Sequence, residues 1–118
     1  MQVMQVTRIY TGDDGQSHFE DVVIELRSGG AGLISEPVTS KSVIFRETGP
    51  DYDLDFHPAP RRQYVVNLSG RVQLETGSGE TRILGAGEIL LAEDTTGQGH
   101  KSKAVGDEPR QCLFITLE

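Results

Sequence analysis

Cysteine occurs once, at Cys112, so no disulfide can form within the chain. It sits in the apolar run Cys112-Leu113-Phe114-Ile115, where a free thiol behaves as a small buried hydrophobe, and a reducing, cytoplasmic setting is expected. Basic residues are scarce too. Eleven Lys and Arg stand against eighteen Asp and Glu, and the net charge of -7 repels phosphate backbones and anionic lipid. Arg61, Arg62, Arg71 and Arg82 form no basic run, so nucleic acid is not an expected partner. Long hydrophobic stretches are missing: no window approaches the roughly 20 apolar residues of a membrane-crossing helix. Met1 to Tyr10 holds no apolar stretch of signal-peptide length, and no membrane partner is expected. Internal repeats and helical spacing of apolar residues are likewise lacking.

What remains is a chain of 118 residues, enough for one domain over 1–118, punctuated along its length by 14 Gly and 5 Pro. Apolar residues alternate or cluster in short β-branched and aromatic runs, which predicts strands. These fall at Val22–Leu26, Ser42–Arg46, Gln63–Leu68, Arg71–Glu75, Thr81–Leu84, Glu88–Ala92 and Gln111–Leu117. Glycine- and aspartate-bearing loops separate them, and Gly77-Ser78-Gly79 marks the clearest hairpin. Such spacing predicts an all-β fold, an antiparallel sandwich or barrel with little or no helix. Residues 42–117 are expected to form the core barrel and 1–41 an N-terminal segment with outer strands. Residues 1–17 are polar and read as cover for a sheet edge rather than core.

The segment His57 to His100 carries the chemistry. His57 is followed at Ala59 by a missing second imidazole, at Gln63 by an amide, and at Gly70 by a closing glycine. Farther on, Gly87 opens a second pattern in which Glu93 replaces a proline, Gln98 takes the strict histidine spacing, His100 follows two residues later, and Ala104 ends the pattern. With the hairpin between them, these two patterns resemble the two motifs of the cupin family over roughly residues 42–117. The resemblance implies a jelly-roll β-barrel whose mouth holds His57 and His100.

Members of that family bind iron, manganese, zinc, nickel or a similar divalent ion through three histidines and a glutamate. By that resemblance the metal ligands here would be His57, Gln63 and His100, and His57 and His100 would be the catalytic residues. Two imidazoles and an amide lack the carboxylate of a two-histidine, one-carboxylate site, so weaker metal affinity is expected. Asp53, Asp55, Glu93 and Asp94 are the acids from which a replacement ligand could come. The same residues also read more plainly: His57, followed by Pro58 and Pro60, as part of a rigid extended loop, Gln63 as a buried amide keeping strand register, His100 as a solvated loop residue. His18 falls outside both motifs and reads as a surface residue.

Tyr52 and Arg46 are candidates to orient a polar or anionic small molecule, whereas Arg62 and Tyr64 lie out of phase with Gln63 on an alternating strand. Thr95-Thr96-Gly97-Gln98-Gly99 is not a phosphate loop, because no Gly-Lys-Ser/Thr ending follows. Two functions remain open: a barrel that binds a small polar molecule, with a divalent ion and catalysis, and a metal-free binding or sensing module. A metal-free imidazole can itself accept a proton near neutral pH. Exposed sheet edges and an apolar outer face predict a homodimer.

Overall fold

Two-residue alternation of buried and exposed side chains is the dominant regularity of the chain, and it builds strands throughout. The computed structural model describes residues 2–118. It contains β1 (Gln2–Thr11), β2 (Ser17–Gly29), β3 (Gly32–Ile34), β4 (Ser42–Thr48), β5 (Asp53–His57), β6 (Gln63–Ser69), β7 (Arg71–Glu75), β8 (Thr81–Leu84), β9 (Ile89–Glu93), β10 (His100–Val105) and β11 (Arg110–Thr116). No helix occurs among the described residues.

The strands form a seven-stranded sheet in the order β3-β2-β1-β9-β6-β11-β4 and a four-stranded sheet in the order β5-β10-β7-β8. Neighbours are antiparallel except β1 and β9, which run parallel. The inner faces meet in one core. Ile9, Val65, Leu90, Ala92 and Cys112 come from the large sheet, Val72, Leu74 and Leu84 from the small one.

Two expectations need correction. The barrel is not closed: no ladder joins the edge strands of the two sheets, and the molecule is a sandwich. Residues 35–41 lie between β3 and β4 and run as coil, where Pro37 has no backbone donor to give a ladder. The second correction concerns the N-terminal segment, which is core and not cover. β1 lies between β2 and β9 in the middle of the large sheet, with Ile9 fully buried and Val6 nearly so. Its polar residues fall on both faces of the strand, and Arg8 is answered by Glu20 on β2 and Glu93 on β9.

The predicted hairpin forms as read, with Val72 opposite Leu84 and Glu75 opposite Thr81. Its turn closes through Gly79, which has φ +91° and so takes a left-handed conformation open to glycine.

Glu93 ties the parallel β1–β9 junction to the chain just ahead of β6. It accepts from Arg8 Nε at 2.6 Å and from Arg62 Nε at 2.7 Å. Partial burial works to raise its carboxyl, but the hydrogen bonds and charges of Arg8 and Arg62 outweigh that and hold it below its ordinary 4.5. The stability it adds is therefore complete above that ordinary value and lost as pH falls through the lower folded one. Arg62 is half exposed, so most of the gain belongs to Arg8, and Glu93→Gln is expected to cost about 1 kcal/mol at pH 7. Urea titrations of both proteins should show the gap closing in acid; an equal gap at both pH values would contradict the assignment.

Candidate functional site

On β6 the alternation turns Gln63, Val65 and Asn67 inward, all three buried, while Tyr64, Val66 and Leu68 face the other way. On β10, His100 and Ser102 point inward by the same rule. The last residue of β5, His57, stands directly opposite His100. These elements line one cavity of about 230 Å³, roughly eight waters' share of liquid volume. Its walls include Val65, Val72, Leu74, Leu90 and Ala92. The polar groups reaching it are His57, Gln63, His100, Ser102, Tyr52, Arg46 and Arg110.

The structure thus brings His57, Gln63 and His100 to one place, with ring centroids of the two imidazoles 4.8 Å apart. Each histidine uses Nδ1 for a structural bond. His57 Nδ1 donates to the backbone carbonyl of Asp55 at 2.7 Å, and His100 Nδ1 donates to Asp94 Oδ2 at 2.6 Å. Nε2 is left free on both rings. Asp94 is fully buried and also accepts from Ser17 Oγ at 2.6 Å, while its Oδ1 has no partner.

Gly99 makes the histidine pair sterically feasible. It has φ +78°, and a Cβ there would overlap the carbonyl of His57. The loop ahead of it is pinned: Thr11 Oγ1 donates to the Thr96 carbonyl and the Gln98 amide donates to the Gly15 carbonyl. His100 is consequently a buried residue at the start of a strand, not a solvated loop residue.

Other sequence candidates separate. His18 hydrogen-bonds Asp14 in the β1–β2 turn and does not line the cavity. Arg62 pairs with Glu93. Asp53 and Asp55 do not line the cavity either. Arg46 and Tyr52 do line it, the guanidinium lying 5.3 Å from the Tyr52 ring centre and 4.7 Å from that of Phe114.

Arg110 was not singled out by sequence reasoning. It is 6% exposed and donates from Nε to Asn67 Oδ1 at 2.6 Å. Neither Arg46 nor Arg110 has a carboxylate partner among the described residues, and Arg46 Nε is buried without any acceptor. Burial pushes the Arg110 guanidinium below its ordinary value; the charge of Arg46 adds to that, while Cys112 and Tyr52 oppose it. Its position just before the Cys112 run, two residues out and hence on the same inward face, was the available signal.

A divalent ion could draw on Nε2 of His57, Nε2 of His100 and Oε1 of Gln63. That donor set fits poorly. Oε1 already accepts from Arg61 Nη1 at 2.9 Å. No carboxylate lines the cavity, and two guanidinium groups do. Among the described residues no cluster of three or more His, Cys, Asp or Glu has the placement to hold a metal. A dication would face uncompensated positive charge where its usual partners are anionic.

Gly99→Ala is expected to destabilise the protein by about 1–3 kcal/mol, since both conformational strain and the His57 overlap oppose it. Thermal unfolding checks the stability, and the imidazole NMR signals of His57 and His100 should both shift. Unchanged signals would mean that Gly99 does not set the pair. Neither a protein-family model nor a curated protein matches the chain, so the side chains of the cavity themselves must say what it holds.

Proposed function

We propose that this protein binds a small organic acid between its two sheets, gripping the carboxylate with Arg46 and Arg110 and using no divalent ion. The observation that carries the reading is a pair of guanidinium groups, one of them buried, that face a mostly apolar cavity without a carboxylate of the protein's own. Arginine stays charged in proteins. A buried charge without a partner costs several kcal/mol, which an anionic ligand offering bidentate acceptors offsets.

The cavity is laid out end to end. Gln63 and Asn67 are four residues apart on β6, about 13 Å of strand. Gln63 marks the imidazole end, and Asn67, bonded to Arg110, marks the guanidinium end. Between them Tyr52 Oη and Ser102 Oγ share a 2.7 Å hydrogen bond. A ligand with an acid group at one end and a carbonyl or hydroxyl toward the histidines matches this order of groups. We read the architecture as an open variant of the jelly-roll that the cupin-like motifs imply. Ala59, buried on the cavity wall, stands in the place of the family's second histidine. The family's glutamate position carries Gln63, so the anion of the metal site is replaced by an amide.

Titration calorimetry against C3 to C5 carboxylates tests this. Arg110→Met and Arg46→Gln should each weaken binding of the best acid by 30-fold or more, from a truncated charge pair worth about 2–5 kcal/mol. Arg110→Met should leave the ligand-free protein as stable as the parent or more so, because it removes a buried unpaired charge. Equal binding of a neutral amide analogue, or binding untouched by both variants, would refute the reading.

The outer face of the large sheet supports a homodimer. Phe45 opposes Leu113, which opposes Val66, and Val43 opposes Ile115 in the next row. These side chains face away from the cavity, with Phe45 80% exposed on the edge strand β4 and Val43 and Leu68 half exposed. An outward sheet face is ordinarily polar, so apolar rows across three strands call for cover. A second copy supplies the same flat rows about a two-fold axis, and sheet faces stack about 10 Å apart. Light scattering should give a dimer at micromolar concentration and a monomer for Phe45→Glu. A monomeric parent would rule this out.

A further inference from the structure

We propose that the cavity is catalytic as well as binding: His100, backed by Asp94, removes a proton from the carbon beside the keto group of a small 2-oxo acid. The proposal rests on the acid-binding reading above and adds a reaction to it. It begins from the buried carboxylate that binding does not use. Asp94 has no exposed surface and does not line the cavity, so it meets no ligand directly. Its Oδ2 takes Nδ1–H of His100 and the Ser17 hydroxyl.

A carboxylate in that position does two things. It fixes the tautomer, leaving the lone pair on Nε2, and it offsets the charge of the imidazolium that forms once Nε2 takes a proton. His57, 4.8 Å away, is backed only by the neutral carbonyl of Asp55. The anionic partner behind His100, which His57 lacks, makes His100 the base.

The substrate class follows from the chemistry. A carboxylate alone does little to acidify the adjacent C–H, and no metal ion is invoked to neutralise a dianion. A keto group between the carboxylate and the C–H does acidify it. With the acid group on Arg46 and Arg110, the keto oxygen falls toward the Tyr52–Ser102 hydroxyl pair, and the carbon beyond it toward the imidazoles. In the step the C3–H bond breaks, its proton goes to His100 Nε2, and its electron pair forms the C2–C3 double bond. The C2–O π pair moves to oxygen, where the Tyr52 hydroxyl and the Arg46 charge stabilise it. Return of a proton to C3 restores the ketone, and nothing is oxidised or reduced.

Pyruvate, 2-oxobutyrate and 2-oxoglutarate are the probes, and loss of their C3 proton signals in D₂O by NMR is the readout. The parent protein should speed exchange of at least one of them well beyond buffer. His100→Gln and Asp94→Asn should lose a hundred-fold or more of that acceleration while the acid still raises the melting temperature. Arg110→Met should lose binding and exchange together. Asp94 acts through His100 and is a positioning residue, so Asp94→Asn should also move the pH of half-maximal exchange. A purely structural role would lower the rate equally at every pH. If Asp94→Asn does not fold, His100→Gln carries the test with Ser17 still on the carboxylate. A bound 2-oxo acid without accelerated exchange would overturn the proposal and leave the binding reading standing. Failure of all three acids to bind, with another carboxylate binding, would overturn it as to substrate class; failure of every carboxylate would sink both readings.

Discussion

The Asp94 carboxylate has no exposed surface, and the two bonds its Oδ2 accepts tie three chain segments together. It follows directly on β9 of the large sheet, accepts from Ser17 at the start of β2, and accepts from His100 at the start of β10 in the small sheet. Its own carbonyl accepts from the amide of Ala59, which fixes the chain between β5 and β6. An isolated buried carboxylate costs several kcal/mol, and leaving one of its partners out costs as much again. The imidazole at the cavity is thus held by a requirement of folding. The same bond that joins the two sheets sets which nitrogen is left to face the cavity.

Strand positions were legible because their signal is local. Seven runs of β-branched and apolar residues became β2, β4, β6, β7, β8, β9 and β11 with shifts of a few residues at the ends. Of the four strands that escaped, β1, β3, β5 and β10, the first and last have their pattern masked by polar side chains. β1 carries Gln2, Gln5, Thr7 and Arg8, yet Arg8 is answered by Glu20 and Glu93, and Ile9 goes to the core. β10 reads His-Lys-Ser-Lys-Ala-Val, with almost nothing apolar. It pairs on both sides, with β5 and β7, and its inward positions are polar because they line the cavity. A site strand is the one least expected to look like a core strand.

The site was legible in part for the same reason. Inward phase on β6 placed Gln63 with Asn67, and the histidine pair followed from the motif spacing. Arg110 was hidden because an arginine before a hydrophobic run ordinarily marks the solvent boundary of a strand. The alternation with buried Cys112 two residues on and the bond to Asn67 show that it turns inward. The role of Asp94 was hidden as well: five residues of loop separate it from His100, and closing that distance takes the left-handed glycines 97 and 99. The closed barrel failed as an expectation because closure is a property of edges, and edges are decided by which strands find no partner.

Charge distribution adds a last step. The chain is acidic overall, yet the charged side chains that reach its cavity are arginines. Three of its acids have partners of their own: Glu93 pairs with Arg8 and Arg62, Asp94 accepts from His100 and Ser17, and Asp14 bonds His18. Asp14 is held below its ordinary value by the Gln16 amide first and His18 second. The guanidinium groups that line the cavity have no carboxylate partner among the described residues. A low-dielectric wall then concentrates their field along the cavity. On the acid-binding reading proposed above, an anion would gain most of its binding energy only after it is desolvated, where a neutral isostere would gain little. Selectivity of this sort arises from leaving cations without protein partners, and it requires that the empty site be less stable than it could be.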